Sequence, residues 1–363
     1  MRDRDPSHLG DISEIEVIAP NFKRRLSGVT STIVQLIPKQ IEFGCRIVTL
    51  GPGLPENLPK LGWSRLPGLW MRPRRHRVRV WHARRNNEML TGWLMKAVLR
   101  MPLKLLFTSA AQRKHSHYTR WLIRHMDAVI ATSAGSGAFL QVPHTVIQHG
   151  VDLKLFHPPE TADDRMAATG LPGRYLVGCF GRVRHQKGTD LFVKAMIELL
   201  PQYPDWTAIV CGRVTAEHRA FGEELVKSVA AAGLSDRIRF LGEVDDIRPW
   251  YRRATLYVAP SRNEGFGLTP LEAMASRTAV VATTAGAYAE MIVPGETGAI
   301  VPPDDGGALT KAIAAYLADP DDALRQGENA VLHVRSNFAV EKEAMAIGEI
   351  YQTLLGPRLI ESR

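Results

Sequence analysis

Glu264 and Glu272 stand eight positions apart in SRNEGFGLTPLEAMASRTAVVAT (261–283), on either side of the turn Gly265-Phe266-Gly267. A carboxylate accepts hydrogen bonds from hydroxyl groups, and sugars are the common ligand that offers many. Glu264 lies outside any helical pattern, with glycine after it, where backbone N–H groups can approach a ligand closely. Glu272 has a competing use. Thr269-Pro270-Leu271-Glu272 fits the capping box S/T-x-x-E, with proline favoured at the first helical position, so this carboxylate can serve simply to start a helix. Upstream, GRVRHQKGTDLFVKAM (181–196) sets Arg182 and Lys187 just before a helix whose start is marked by Thr189-Asp190. Two cations at a helix start make a site for a phosphate or diphosphate. The lysine precedes the last glycine of this loop, so it is not a P-loop.

The elements that must position these residues alternate. IEVIAP, RIVTL, VRVWHA, KLLFT, DAVIAT and TVIQHG read as strands in the first half, with helices around 88–100 and 117–126. YLVGCFG, WTAIVCG, RIRFLG, TLYVAPS and TAVVAT read as strands in the second, separated by helices near 189–200, 217–232, 246–253 and 270–276. Strands alternating with helices imply βαβ units and parallel, doubly wound α/β sheets. At 363 residues two such domains are expected, with the Pro- and Gly-rich segment 156–173 as the hinge. After Val301 the chain reads as helical to its end. Ligands of open α/β sheets bind beyond the carboxyl ends of the strands, so a ligand is expected in the cleft between two such domains.

Composition narrows the class. No apolar stretch reaches 18 residues and MRDRDPSHLGD lacks an apolar signal segment, which points to a cytoplasmic protein. Cys45, Cys179 and Cys211 have neither metal nor disulfide spacing and read as buried thiols in a reducing compartment. Asp319-Pro320-Asp321 has a D-x-D form but sits between helices, where aspartates cap, so no metal site is expected. Charge is uneven: residues 1–157 hold 24 Lys and Arg against 10 Asp and Glu, a balance of +14, while the remainder is −5. Nine basic residues and no acid lie between Glu56 and Glu88. A one-sided basic surface meets an anionic partner, namely phospholipid, lipid-A-like phosphates or nucleic acid. Nucleic acid leaves Glu264 and Glu272 without a purpose, and no helix-turn-helix, zinc or aromatic RNA motif is present. RLPGLWMRPRRHRVRVW interleaves tryptophan, leucine and arginine, a mixture suited to an anionic membrane interface.

The E-x7-E pair, together with GRVRHQKG, resembles glycosyltransferase family 4, and the likeness extends over about 175–305. Within that family the chain is most similar to the mannosyltransferases of lipopolysaccharide core assembly. The resemblance implies a GT-B fold, with two Rossmann-like domains facing across a cleft and C-terminal helices crossing back. On this reading residues 1–157 form the acceptor domain, 158–337 the nucleotide-sugar domain and 338–363 the returning helix. It implies that Arg182 and Lys187 neutralise the diphosphate of a nucleotide-sugar, expected to be GDP-mannose, with another donor such as UDP-glucose, or a non-catalytic nucleotide-sugar binder, as the alternatives. It further implies that Glu264 holds sugar hydroxyls, with the backbone of Gly265, Phe266, Gly267 and Leu268 and the Thr269 cap. Glu272 would bind the ribose hydroxyls. In the family the leaving diphosphate takes the acceptor proton, so the resemblance implies no dedicated nucleophile and no cofactor or metal.

The first half carries the resemblance less closely. Gly28 stands where the family brings a glycine pair against the donor phosphate. Thr108 stands where a histidine is frequent, with His115 and His117 further on, and His149 replaces the usual asparagine of the interdomain link. VWHARRNNEM ends a strand and offers His82, Arg84 and Arg85 for an anionic acceptor, expected to be the Kdo of a lipid-anchored core precursor. The expected setting is the inner face of the cytoplasmic membrane, held peripherally.

Overall fold

The structure, a computed structural model, describes residues 11–24 and 28–359. The chain divides into two compact units, one ending at His149 and resuming at Val340, the other running from Gly150 to Ala339.

The first unit is built on a six-stranded sheet whose pairings are all parallel: β1 (Val17–Pro20), β2 (Ile47–Leu50), β3 (Arg79–Ala83), β4 (Leu103–Ser109), β5 (Ala128–Ala131) and β6 (Thr145–Val146). β1, β2 and β3 are buried throughout, as a parallel sheet covered on both faces requires. Its helices are α1 (Gly28–Glu42), α2 (Asn86–Trp93), α3 (His117–Arg124) and α4 (Ala134–Gly137), joined by the chain's last helix, Val340–Leu355. α1 is a helix beyond those expected of the first half, around 88–100 and 117–126. Ile33, Leu36 and Ile37 recur at helical spacing and are buried, and the helix runs on past Pro38. Val340, Ala344, Ile347 and Tyr351 of the last helix join the same core. The strand order β2-β1-β3-β4-β5-β6 reverses direction between β1 and β3.

The second unit has its own parallel sheet: β7 (Tyr175–Phe180), β8 (Trp206–Cys211), β9 (Ile238–Gly242), β10 (Leu256–Ala259), β11 (Ala279–Thr283) and β12 (Gly298–Val301). The sequence reading had eleven strands. The twelfth, GAIV, follows GET and is too short and half-buried to stand out as an apolar run. The helices are α5 (Thr189–Leu199), α6 (Arg219–Ala231), α7 (Arg248–Arg253), α8 (Thr269–Ala275), α9 (Tyr288–Met291), α10 (Gly306–Ala318) and α11 (Pro320–Asn337), so the last helix of the chain is α12. The order β12-β11-β10-β7-β8-β9 is the doubly wound Rossmann order, with its switch point between β7 and β10.

The units meet in sequence at 149/150 and 339/340, not at 157/158 and 337/338. The segment 156–173 is no linker. Phe156 and Met166 enter the second unit's core, and Asp164 accepts Arg252 Nε at 2.5 Å and the amide of Glu160 at 3.1 Å. Its prolines and glycines shape short turns on that core. Asp319 caps α11, its carboxylate accepting Asp322 N at 3.1 Å, as the D-x-D spacing between helices predicts.

Arg79, one of the nine basic residues before Glu88, is wholly buried at the start of β3. Its Nε donates to Ile15 O at 2.9 Å, Nη2 to Ile12 O at 2.8 Å, and Nη1 to Leu69 O and Met71 O. Burial lowers its pKa to about 10. Four carbonyls thus take the place of a counter-ion, and they fix the 3₁₀ segment Trp63–Trp70 to the sheet. Arg79→Met would strand these acceptors, each worth about 1–3 kcal/mol when buried and unmade. The variant should lose roughly 3 kcal/mol or more of stability, read as a fall in the urea midpoint; an unchanged midpoint would refute the role.

Candidate active site

The loops after β7 and β10 leave the sheet at the switch point, where adjacent connections diverge and open a crevice. A pocket there is lined by Gly181, Arg182, Lys187, Ser261, Thr269 and Tyr288, among others. Arg182 is exposed at its rim and makes no ion pair among the described residues. Lys187 ends the 3₁₀ turn His185–Lys187, and Gly188 follows with φ +70°. A Cβ on Gly188 would overlap the Pro260 carbonyl, so only glycine lets these two loops lie this close.

Across the pocket, Lys187 Nζ pairs with the Glu264 carboxylate. Glu264 Oε1 also accepts the amide of Gly265 at 3.2 Å. Gly267 has φ +87°, and a side chain there would strike the Tyr288 ring and come within 2.8 Å of Glu264 Cγ. Phe266 is buried in the core, and its carbonyl accepts Ala287 N at 3.0 Å. The phenyl ring is therefore an anchor, and the loop presents backbone to the pocket. The amides of Gly267, Leu268 and Thr269 make no hydrogen bond among the described residues.

The capping box does not form. α8 begins at Thr269 with Leu268 as its cap and no side-chain capping bond. Glu272 instead accepts the hydroxyl of buried Tyr251 at 2.7 Å. Burial raises its pKa, against the opposing effect of that hydrogen bond. Burial raises the Tyr251 pKa as well, with the Glu272 charge adding to it. The helix-start use of Glu272 is thereby replaced by a carboxylate held by tyrosine on the pocket's side of the unit.

Sequence reading missed Arg262. Its guanidinium grips Asp190 of α5 through two bonds, 2.8 Å and 2.7 Å, reaches Asp304 at 2.7 Å and donates to His185 O at 2.6 Å. Its own amide donates to Gln186 O at 2.9 Å. One side chain therefore ties the turn carrying Lys187 to the loop carrying Glu264. The signal was legible: an arginine two residues before Glu264 and an aspartate just inside α5, which was read only as a helix-start marker.

In the first unit, the residues after β3 form a polar knot. His82 is fully buried, its Nδ1 at 2.7 Å from Tyr351 Oη and its Nε2 at 2.7 Å from Thr108 Oγ1. Burial, reinforced by Arg84, holds its pKa well below the usual histidine range. Both ring nitrogens are engaged, so His82 has nothing left to offer an acceptor. Arg85 is committed too: Nη1 donates to Asn21 Oδ1 at 2.8 Å and to buried Glu88 at 2.7 Å. Arg84 gives its amide to Glu88 at 2.8 Å, while its guanidinium donates to His82 O at 3.3 Å and also engages the Tyr351 hydroxyl. Of the three, Arg84 retains donors for a ligand. Gly28 is the first residue of α1, and Arg25, Leu26 and Ser27 before it lie outside the described residues. His115 is half-buried with its pKa lowered by burial, and His117 opens α3 against Arg120.

Arg262→Lys keeps the charge but loses the fork. If the clamp sets the Lys187–Glu264 geometry, turnover should fall by up to about 10²-fold, the cost of a 1 Å misplacement. Asp304→Ala, which removes a rim contact only, should cost far less. Equal losses, or a loss tracking the unfolding midpoint, would show that Arg262 merely stabilises.

The geometry can be set beside known proteins. Residues 174–319 match the family described as glycosyl transferases group 1. Over 348 residues the chain is 74% identical to the lipopolysaccharide core biosynthesis mannosyltransferase LpcC of Rhizobium leguminosarum bv. viciae, covering 96% of this chain and 99% of that protein. It is 54% identical over 348 residues to the corresponding LpsB of Rhizobium meliloti, covering 95% and 99%. The structure of sucrose-phosphate synthase from Thermosynechococcus elongatus superposes with a TM-score of 0.76 at 23% identity, over 94% of this chain and 99% of that one, a likeness of fold. Two Rossmann-type units, the paired glutamates and near full-length identity agree: the chain belongs to the lipopolysaccharide core biosynthesis mannosyltransferases, glycosyltransferases of the GT-B fold.

Proposed function

We propose that the protein transfers mannose from GDP-mannose, with retention of anomeric configuration, to an anionic, lipid-anchored sugar such as the Kdo of a core precursor. The observation that carries this reading is the Lys187–Glu264 pair beside Arg182, which has no ion pair among the described residues, at the switch point of the second unit. One carboxylate and two cations there suit a sugar diphosphate and little else of that size.

In the reaction the anomeric C–O bond breaks, and its electron pair goes to the departing phosphate oxygen. Arg182 and Lys187 stabilise the charge that develops, the task for which preorganised cations are most effective. They supply the neutralisation a metal ion would otherwise give, so the reaction calls for none. Glu264 orients the sugar hydroxyls and keeps Lys187 in place. The acceptor hydroxyl attacks from the face the diphosphate leaves, and its proton passes to the phosphate oxygen. Glu272, steadied by Tyr251, takes the ribose hydroxyls. In the first unit Arg84 is the residue suited to an anionic acceptor, by bidentate contact with a carboxylate or phosphate.

A membrane setting fits the surface of the first unit. Trp63, Trp70, Met71, Val98 and Leu99 are 54%, 49%, 56%, 59% and 44% exposed. Trp70 Nε1 donates to Leu99 O at 2.7 Å, which joins the two segments into one patch. Exposed Arg72, Arg77 and Arg100 flank it. Among the described residues no helix is long and apolar enough to cross a membrane, so attachment would be peripheral, at the inner leaflet.

The reaction is tested by offering GDP-mannose, UDP-glucose and UDP-N-acetylglucosamine, each with a Kdo-containing lipid A precursor, and weighing the product. A hexose gained from GDP-mannose alone, absent with Glu264→Ala and roughly 10²–10³-fold slower with Arg182→Ala, is expected. Transfer from UDP-glucose, or donor binding without transfer, would overturn the mannosyl or the catalytic reading respectively. For the membrane, cosedimentation with phosphatidylglycerol vesicles at low salt is expected, with each cation contributing about 1 kcal/mol and Trp70→Ser with Met71→Ser weakening it. Equal partitioning to neutral vesicles and at high salt would refute it.

A further inference from the structure

The second unit has another concavity, away from the mannosyl-donor pocket. It opens at the amino ends of the strands: Arg174 precedes β7, Ala254 and Thr255 precede β10, and Arg277 lies two residues before β11. The pocket described above lies at the carboxyl ends of β7 and β10. A six-residue strand separates the two by about 20 Å, so one small ligand cannot span them. The concavity is open, with a volume of about 310 Å³, at the lower end of the size range of small-molecule sites.

Its lining is unusual in charge. Arg165, Arg174, Arg252, Arg253 and Arg277 face it against only Glu160 and Asp164. Three of the five are anchored by their own contacts. Arg252 pairs with Asp164 at 2.5 Å, Arg253 Nε donates to Asp163 O at 2.9 Å with its guanidinium over the Trp250 ring, and Arg277 pairs with Glu328 at 2.6 Å. Arg165 and Arg174 are exposed and have no ion pair among the described residues. Arg174 rests over the Tyr175 ring, 5.6 Å from its centre, which directs the planar fork without consuming its donors. Arg277 holds φ +70° just after α8, a position where glycine is the ordinary choice. A Cβ on Gly327 would overlap the Arg277 carbonyl, so close packing against α11 holds that backbone in place.

Five guanidinium groups in one concavity repel each other, and two lining carboxylates together with Glu328 behind Arg277 offset only part of that charge. We infer that this concavity is a second anion site, which takes a compound bearing two or more phosphates through Arg165 and Arg174, with Arg252, Arg253 and Arg277 as the positive wall. Guanidinium forks match phosphate geometry bidentately, and two free forks on one rim suit a diphosphate better than a single carboxylate. The scaffold is already set: Asp164 fixes the lip through the amides of Glu160 and Thr161. α7 and α8, which end at this rim, also carry Tyr251 and Glu272 of the donor side.

The test is calorimetric titration of the full chain with inorganic diphosphate at low salt. The wild type should show two sites. Arg165→Ala with Arg174→Ala should remove one, weakening it at least tenfold, while Arg182→Ala weakens the other and leaves this one intact. Both arginines are exposed, so the double variant should keep its unfolding midpoint and its basal transfer activity. A second arm uses phosphatidylglycerol vesicles. Unchanged cosedimentation of the double variant identifies a soluble phosphate compound as the source, and reduced cosedimentation a lipid headgroup. One diphosphate site in the wild type, or two retained in the double variant, would overturn the inference. Either result is independent of whether the donor is GDP-mannose, because no donor is present.

Discussion

The Lys187–Glu264 ion pair joins two loops that are 77 residues apart in the chain, and the chemistry of the second unit depends on that meeting. A cation and a carboxylate placed on separate, partly exposed loops would gain little from each other in water. Here the loops are held before the pair forms. Arg262 fixes one to the other through Asp190, His185 O and the Gln186 carbonyl, and Gly188 allows the Pro260 carbonyl to lie against the turn. The cost of aligning the groups is met by the fold, and what remains exposed is a preorganised charge pattern. The topology makes the arrangement available, since β7 and β10 are neighbours only because the strand order reverses between them.

The first unit solves a similar problem at its own switch point, between β1 and β3. Asn21 ends the loop entry after β1 and accepts Arg85 Nη1, while its amide nitrogen donates to Lys23 O at 3.0 Å and Pro52 O at 2.7 Å. Arg85 reaches on to Glu88, whose burial is made tolerable by that partner and by the amide of Arg84. In each unit an arginine bonded to a carboxylate helps tie together the loops that leave the switch point. The difference lies in what is left over. The second unit leaves Arg182 and the Lys187–Glu264 pair at the surface, whereas the first leaves chiefly the Arg84 guanidinium.

Much of this was legible in the sequence. Buried parallel strands are short apolar runs, and eleven of the twelve stood out as such; GAIV did not, being brief and only half-buried. The residues gathered at the second unit's pocket were found because their loops follow strands and precede helices. What escaped were facts of partnership. Thr269 and Glu272 have capping-box spacing, yet the carboxylate turns to Tyr251, because α8 starts one residue too early for Thr269 to serve as its cap. His82 looked like a ligand at a strand's carboxyl end, but Thr108 and Tyr351, the latter on a helix 269 residues away in sequence, occupy both its nitrogens. Spacing along a chain reveals local geometry and is silent about such distant partners.

Charge runs carry the same lesson. The nine basic residues between Glu56 and Glu88 read as one face, but the fold divides them by task. Arg79 is interior, satisfied by carbonyls alone, and Arg84 and Arg85 belong to the polar knot after β3. What reaches solvent from the run, including Arg65, Arg72 and Arg77, lies beside Trp63, Trp70 and Met71. The interior arginine fixes the backbone next to those indoles. By binding Ile12, Ile15, Leu69 and Met71 through their backbone, Arg79 holds a short 3₁₀ segment whose Leu69 is buried in the core and whose Trp63 ring lies 5.6 Å from that of Phe22. A buried charge thus anchors the backbone beside an exposed aromatic patch, and a count of basic residues could not distinguish interior arginines from surface ones.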